Sequence, residues 1–335
     1  MSQFSVGDLA QKFMLQRQGA ALKESMTTLN QELATGQVSD VKAVLAGNVS
    51  YLADIEADLK TLSGYRVATT EAAQFAETIQ AALTRMSTSA EEFGSNLLTV
   101  TSSAVNSVVE QMSVDAEAEL ANLVSALNTG SAGRSVFAGT ATDQRAVADA
   151  DDILADLRAA TASATTVEDI WQAADAWFND ATGFADRGYT GGTTDIAPFQ
   201  LVDDDTVAVR VRADDQVFRD LLKNVAVAAI ANDASFALSA DDKKELMTTA
   251  GHGVYTAQAQ LTSTQAGVGS AQARIDEITT RNETRDTNLQ FAKGALLQAD
   301  PYETATELEA VQFQLQSLYT VTARMSDLSF VNFIR

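Results

Sequence analysis

Few residues in this chain could do chemistry, and their spacing argues against most of it. The one histidine, His252, stands in "TAGHGVY", and cysteine is absent. A single imidazole with no thiol near it makes no metal cluster, so a surface or helix-end position is expected for it. Gly251/Gly253 and Gly267/Gly269 form two G-x-G pairs. Neither follows a strand nor completes G-x-G-x-x-G, the loop that lets a backbone approach a pyrophosphate. Two acidic groups, Asp149/Asp151/Asp152 and Asp203/Asp204/Asp205, offer oxygens to calcium. They lack the glycine and distal glutamate of an EF-hand loop, and solvated acidic loops are expected. With no G-x-S-x-G, P-loop or H-E-x-x-H, the sequence reads as a non-enzyme with no cofactor and no metal.

The elements that would have to position any site are long and helical. The 335 residues include only 2 prolines, and 46% are hydrophobic, enough for a core but long for one compact domain. A net charge of −22 argues against nucleic acid and anionic membranes, which would repel the chain. No apolar run approaches the length of a membrane span; "VAVAAIA" from Val225 is far too short. The opening "MSQFSVGDLAQKFMLQRQ" lacks the apolar stretch and small-residue site of a cleaved signal. The expectation is a chain that stays in the cytoplasm or leaves it without signal cleavage.

Three parts follow from patterning. In the first, Leu15, Leu22 and Leu29 with Met26 and Leu33 form a narrow heptad seam. "ATGQVSD" breaks it, with Gly36 able to end one helix and Ser39 or Asp40 to begin another. Leu52, Ile55, Leu59, Leu62 and, after a phase slip, Ile79, Leu83, Met86, Ala90, Phe93 and Leu97 predict a rod of roughly 70 Å. Such a rod needs another of similar length. Leu120, Leu123 and Leu127 mark a third helix, and the glycines around "RSVF" a turn, a short strand and another turn. The middle part, 141–235, holds 18 Asp and Glu against 7 Lys and Arg. In "TVAVRVRADD", Val207, Val209 and Val211 alternate with Arg210 and Arg212, predicting a strand with one wet face; Asp214 or Asp215 would cap the helix after it. The last part returns to helix, with Ile275, Ile278 and Leu289 on one face and a helix entry at Asp300–Pro301.

The fold class expected is therefore mainly α: long antiparallel helical rods or coiled coil from both chain ends, with a small α+β insert in the middle. Residues 1–40 and 300–335 are read as terminal assembly helices, disordered in the monomer. Residues 41–140 and 236–299 form a rod-like bundle, and 141–235 the acidic insert.

The chain closes on a stripe at steps of 3 and 4, Leu308, Val311, Leu315, Leu318, Thr322 and Met325, followed by Leu328 and "SFVNFI". Burying six aliphatic side chains contributes on the order of 10 kcal/mol. Ordering about 28 residues costs more than that. Two such helices alone are marginal, whereas many copies side by side are not. The expected assembly interface is Leu15, Leu22, Met26, Leu29, Leu33, Leu308, Val311, Leu315, Leu318, Met325 and Leu328.

Four segments resemble the bacterial flagellin family. "LQRQGAALKESMTTLNQELATGQ" at 15–37 is similar to the family's amino-terminal helix and its Leu-x-(Ser/Thr)-Gly turn. "GRSVFAGTATD" at 133–143 resembles the segment leading into the variable region. "VRADDQVFRDLLKNVAVAA" at 211–229 resembles the strand–helix unit of the insert in junction proteins. "LQSLYTVTARMSDLSFVNFI" at 315–334 resembles the carboxy-terminal helix of the hook-associated junction branch. The Arg-Ile-Asn-Ser-x-x-Asp-Asp motif of filament subunits is replaced by "VSDVKAVLAGNVSYLADIE", which favours the junction branch.

The resemblance implies a structural subunit joining hook to filament, exported unfolded through the flagellum's type III channel to an extracellular position. It implies partners as well: other copies of the chain, a neighbouring hook-associated protein, filament flagellin, and a cytosolic export chaperone on the carboxy-terminal helix. No nucleic acid and no membrane insertion are expected. A filament subunit is the nearest alternative and a non-flagellar coiled-coil adaptor the next.

Overall fold

A computed structural model describes residues 6–41, 49–101 and 106–333. The chain divides into two units, one of residues 1–62 with 283–335 and the other of residues 63–282. The protein is mainly α-helical, with long helices from the two ends packing together and a small β-containing insert between them.

In the first unit, α1 (Val6–Thr35) packs along α8 (Pro301–Phe333). Gly36, at φ +70°, ends α1 in the left-handed conformation that glycine adopts without steric cost, and its N–H donates to the Glu32 carbonyl at 2.7 Å. Ser39 N–H then donates to Glu32 Oε1 at 2.6 Å. Asp300 caps α8, its Oδ1 accepting from the N–H groups of Tyr302 at 2.8 Å and Glu303 at 3.2 Å, with Pro301 at the first helical position. Both breaks thus fall where the local sequence places them.

The second unit is built around a buried helix. α2 (Val49–Thr101) supplies Ile79, Leu83, Met86 and Leu97 to its core, and α3 (Asn106–Leu127) supplies Leu120, Leu123 and Leu127. A β-hairpin follows α3, with β1 (Gly130–Ser131) antiparallel to β2 (Arg134–Ser135). Its turn uses positive φ at Ala132 (51°) and Gly133 (79°), the geometry that matches strand twist. The strand expected in "RSVF" is thus two residues of a hairpin, after which Val136 and Phe137 enter the core.

Next come α4 (Ala150–Thr161) and α5 (Val167–Asn179); α5 opens on a capping box in which the Thr166 hydroxyl and Asp169 carboxylate accept each other's backbone N–H. A single π-helical turn (Phe184–Gly188) stacks Phe184 on Phe178 at 5.5 Å, with Trp177 edge-on to both. β3 (Phe199–Val202) pairs antiparallel with β4 (Asp205–Val207). α6 (Gln216–Ile230) is buried at every position from Asn224 to Ile230, as a helix covered on all sides must be, and packs along α3. α7 (Ala240–Leu297) begins in this unit and closes its core with Leu246, Val254, Leu261, Ile275 and Ile278.

Two expectations are corrected. The ladder predicted through Val211 stops at Val207, because β3 is only four residues long and the sheet has two strands. The alternation survives without it: Val207, Val209 and Val211 are buried while Arg210 is exposed. Asp215 does occupy the N-cap position of α6, but its carboxylate makes no cap bond to that helix. It accepts instead from Arg212 N–H at 2.9 Å, and burial pushes its pKa above the usual range.

Candidate self-association surface

The residues singled out for chemistry have structural employment. His252 is exposed in the interior of α7, on the surface as expected but away from either helix end. Gly251 and Gly253 sit at helix contacts: a Cβ on Gly253 would lie 1.9 Å from Asn224 Oδ1 of α6, and one on Gly251 would lie 2.9 Å from Leu98. Gly267 and Gly269 lie in the same uninterrupted helix with open space around them. Neither pair is a phosphate loop.

The acidic groups are engaged as well. Asp203 accepts from the Tyr65 hydroxyl, and Asp205 pairs with Arg274 at 2.5 Å and Arg281 at 3.3 Å. Asp149 is held by both terminal nitrogens of Arg145, at 3.0 and 2.6 Å, and Asp151 and Asp152 lie in the first turn of α4, where the helix dipole favours a carboxylate. Among the described residues, no group of three or more His, Cys, Asp or Glu is placed to hold a metal. None of their helices is long and apolar enough to cross a membrane.

What stands out is the pair made by the two chain ends. α1 and α8 run antiparallel: Gln11 Nε2 meets Met325 Sδ at 3.9 Å, and Lys23 lies 5.8 Å over the Tyr319 ring. A Cβ on Gly19 would come 3.2 Å from Leu318, so a small residue lets the helices approach there. At the other end, Val38 N–H donates to the Leu297 carbonyl at 2.9 Å and Ala299 N–H to the Gly36 carbonyl at 3.0 Å. These two bonds frame the antiparallel bridge of Gln37 with Gln298 and fix the register of the pair. In the same unit, Arg285 pairs with Asp58 at 2.9 Å and Lys293 with Glu56 at 2.6 Å, beside the buried Leu52 and Ile55 of α2.

The seam residues read from the sequence fall on this pair unevenly. Leu29 and Leu308 are buried. Leu15, Leu22, Met26, Val311, Leu315, Leu318 and Met325 are half-buried, whereas Leu33 is 43% exposed. The side chain of Leu328 lies outside the described ones. Among the described residues, α1 and α8 pack chiefly on each other, and two helices alone do not enclose a seam of this width.

A second apolar set, which the seam reading missed, faces outward: Phe13 (67% exposed), Met14 (70%), Phe313 (72%), Tyr319 (52%) and Val321 (48%). Single exposed apolar residues are ordinary, but five large ones on two paired helices leave apolar surface on more than one side of the pair. The sequence signal was available: Phe13 and Met14 precede the seam position Leu15, so the apolar arc of α1 is wider than a two-helix contact requires.

Comparison with known proteins adds two findings. Residues 252–334 match the bacterial flagellin C-terminal helical region. The fold is similar to that of a protein described as a flagellar hook-associated protein from Vibrio parahaemolyticus, with a TM-score of 0.54 at 11% identity, covering 75% of this chain and 99% of that one. No curated protein matches the sequence.

Proposed function

We propose that this chain, whose residues 252–334 match the bacterial flagellin C-terminal helical region, is a member of the flagellin and hook-associated protein family and a self-assembling structural subunit at the junction of hook and filament. The observation that carries the proposal is the α1–α8 pair, whose seam is only half covered and which also exposes Phe13, Met14, Phe313, Tyr319 and Val321. Enclosing such a pair takes further helices, and copies of the same chain provide them. The terminal helices, roughly 1–40 and 300–335, are the assembly elements. The acidic insert is not an assembly element; like charge on the inserts of different copies discourages other associations.

The junction position is supported by the likeness to a flagellar hook-associated protein and by the "LSFVNFI" ending. The protein would accordingly lie outside the cell, reached through the flagellar type III channel, with its carboxy-terminal helix guarded by a chaperone before export. Its neighbours would be further copies, another hook-associated protein and filament flagellin.

Deleting the residues after Tyr319 tests this. The shortened protein should keep a folded second unit, remain monomeric and leave cells non-motile with hooks lacking filaments. Normal motility of that strain refutes the assembly role. Abundance of the intact protein along sheared filaments, instead of a few copies at the hook, would make it a filament subunit.

A further inference from the structure

The α1–α8 pair is electrically polar along its axis. Over residues 10–23 and 312–325 the charged side chains are Lys12, Arg17, Lys23 and Arg324, with no carboxylate. Over residues 24–41 and 300–311 there are seven carboxylates and no cation, with Glu24, Glu303, Glu307 and Glu309 exposed among them. By sequence alone, the terminal stretches 1–9 and 326–335 add Asp8, Asp327 and Arg335, and the sum stays positive. Antiparallel packing gathers each set at its own end of the pair, since residue 11 meets 325 and Leu29 shares a groove with Val311.

Some of these charges are engaged locally: Glu32 accepts from Ser39 N–H, Asp300 caps α8 and Lys23 lies over the Tyr319 ring. Among the described residues no ion pair neutralises Lys12, Arg17, Arg324, Glu24 or Glu307. In a chain of net charge −22, a net-cationic stretch of surface calls for an anionic complement.

That complement lies on the same helix pair. In the acidic half a groove of about 630 Å³ opens between α1 and α8. Small residues (Ala21, Ser25, Ala310) widen it, Leu29 and Val311 give it apolar surface, and Glu24, Glu32 and Glu307 charge it. The cationic half presents what would fill it, an exposed Phe13 next to Lys12 and one helical turn from Arg17.

Resting on the assembly role proposed above, we infer that copies associate head to tail, with the Lys12–Phe13–Arg17 surface of one chain seated on the Glu24–Glu32–Glu307 groove of the next. The axial stagger is about 20 Å, the rise of α1 from Phe13 to the middle of the groove. The contact is heterologous: each added copy leaves one cationic and one anionic half free, so copies add in register until the rotation between neighbours closes a ring. A second copy fits better than a lipid surface, because the negative chain as a whole is repelled by anionic lipid while the groove matches the knob in shape and in sign.

The test uses purified full-length protein and sedimentation velocity at low and high salt. Lys12→Glu/Arg17→Glu and, separately, Glu24→Lys/Glu307→Lys should each raise the concentration needed for association by about tenfold at low salt. Each variant retains one native half, so mixing the two should restore association, as should all four substitutions in one chain. Recovery on mixing also shows that neither variant failed to fold. Wild-type association should weaken as salt screens the contact.

If the wild type associates but both variants match it, or mixing restores nothing, this contact is wrong while the assembly role stands. If the wild type remains monomeric under every condition, both readings fail. If vesicles containing phosphatidylglycerol capture the wild type but not Lys12→Glu/Arg17→Glu, and no self-association occurs, the cationic half serves a lipid surface and the inference is overturned.

Discussion

The same substitution at three glycines of one helix should change stability in opposite directions. A Cβ on Gly253 would fall 1.9 Å from Asn224 Oδ1 and 2.3 Å from its Cγ. Asn224 cannot move aside freely: it is 7% exposed, and its Nδ2 donates to the Asp220 carbonyl at 2.7 Å. Gly253→Ala therefore forces α6 away from α7 or drives Asn224 out of its bond. Overpacking of this kind costs about 1–3 kcal/mol. Losing the hydrogen bond costs about 1 kcal/mol, and the gain in helix propensity offsets about 1 kcal/mol. The net expectation is destabilisation by about 1–2 kcal/mol. At Gly267 and Gly269 nothing lies within 4 Å of the added methyl, so alanine there should stabilise by up to about 1 kcal/mol each. Urea unfolding followed by far-UV circular dichroism measures all three. The double variant Asn224→Ala/Gly253→Ala should recover much of the loss, because it removes the atom that the methyl meets. A midpoint for Gly253→Ala that rises together with those of the other two variants would refute the claim that this glycine sets the α6–α7 distance.

Two further substitutions probe the second unit. Glu119 on α3 is buried against α2, accepting from the Ser89 hydroxyl and, at 3.5 Å, from Asn122, and burial raises its pKa ahead of any other cause. A raised folded-state value means the ionised form is penalised on folding, so the cost is absent at low pH and grows as pH climbs through that value. Glu119→Gln should then stabilise at neutral pH by about 1 kcal/mol, with the gain fading towards about pH 4; an equal gain at both pH values would count against burial as its source. Asn128, just past α3, accepts from Ala146 N–H at 2.9 Å and Val147 N–H at 3.0 Å and donates to the Val147 carbonyl at 3.0 Å. Ala146 and Val147 are fully buried, so Asn128→Ala should cost about 2–3 kcal/mol, and a change within about 0.5 kcal/mol would show that other groups satisfy this backbone.

Much of the fold was legible because its signals are local. The breaks at Gly36 and at Asp300–Pro301 are end-cap chemistry acting over three or four residues, and the structure places α1 and α8 on either side of them. The 3-and-4 spacing of Leu52, Ile55, Leu59 and Leu62, and of Ile79, Leu83 and Met86 after a phase slip, marks a buried helix face whatever covers it, and all but the half-buried Leu59 are buried. Where a reading depended on a partner, it was less complete. Alternation at Val207, Val209 and Val211 foretold burial but not hydrogen bonding, since a ladder also needs a second strand of matching length. Asp215 took the cap position but gave its carboxylate to Arg212 N–H, a competition between two nearby donors that composition does not resolve.

By itself, the sequence determined that the chain is built of long helices, where α1 ends and where α8 begins, because each of these rests on neighbours within about one helical turn. Only the tertiary structure decided that Gln11 meets Met325, that Gly253 admits Asn224, and that scattered charges on α1 and α8 sort into a cationic end and an anionic end. The Gly253 contact follows from how α6 packs on α7, and the other two from the antiparallel register of segments some 300 positions apart in sequence, set by packing and by the two backbone bonds around Gln37 and Gln298. No local propensity acts over that separation.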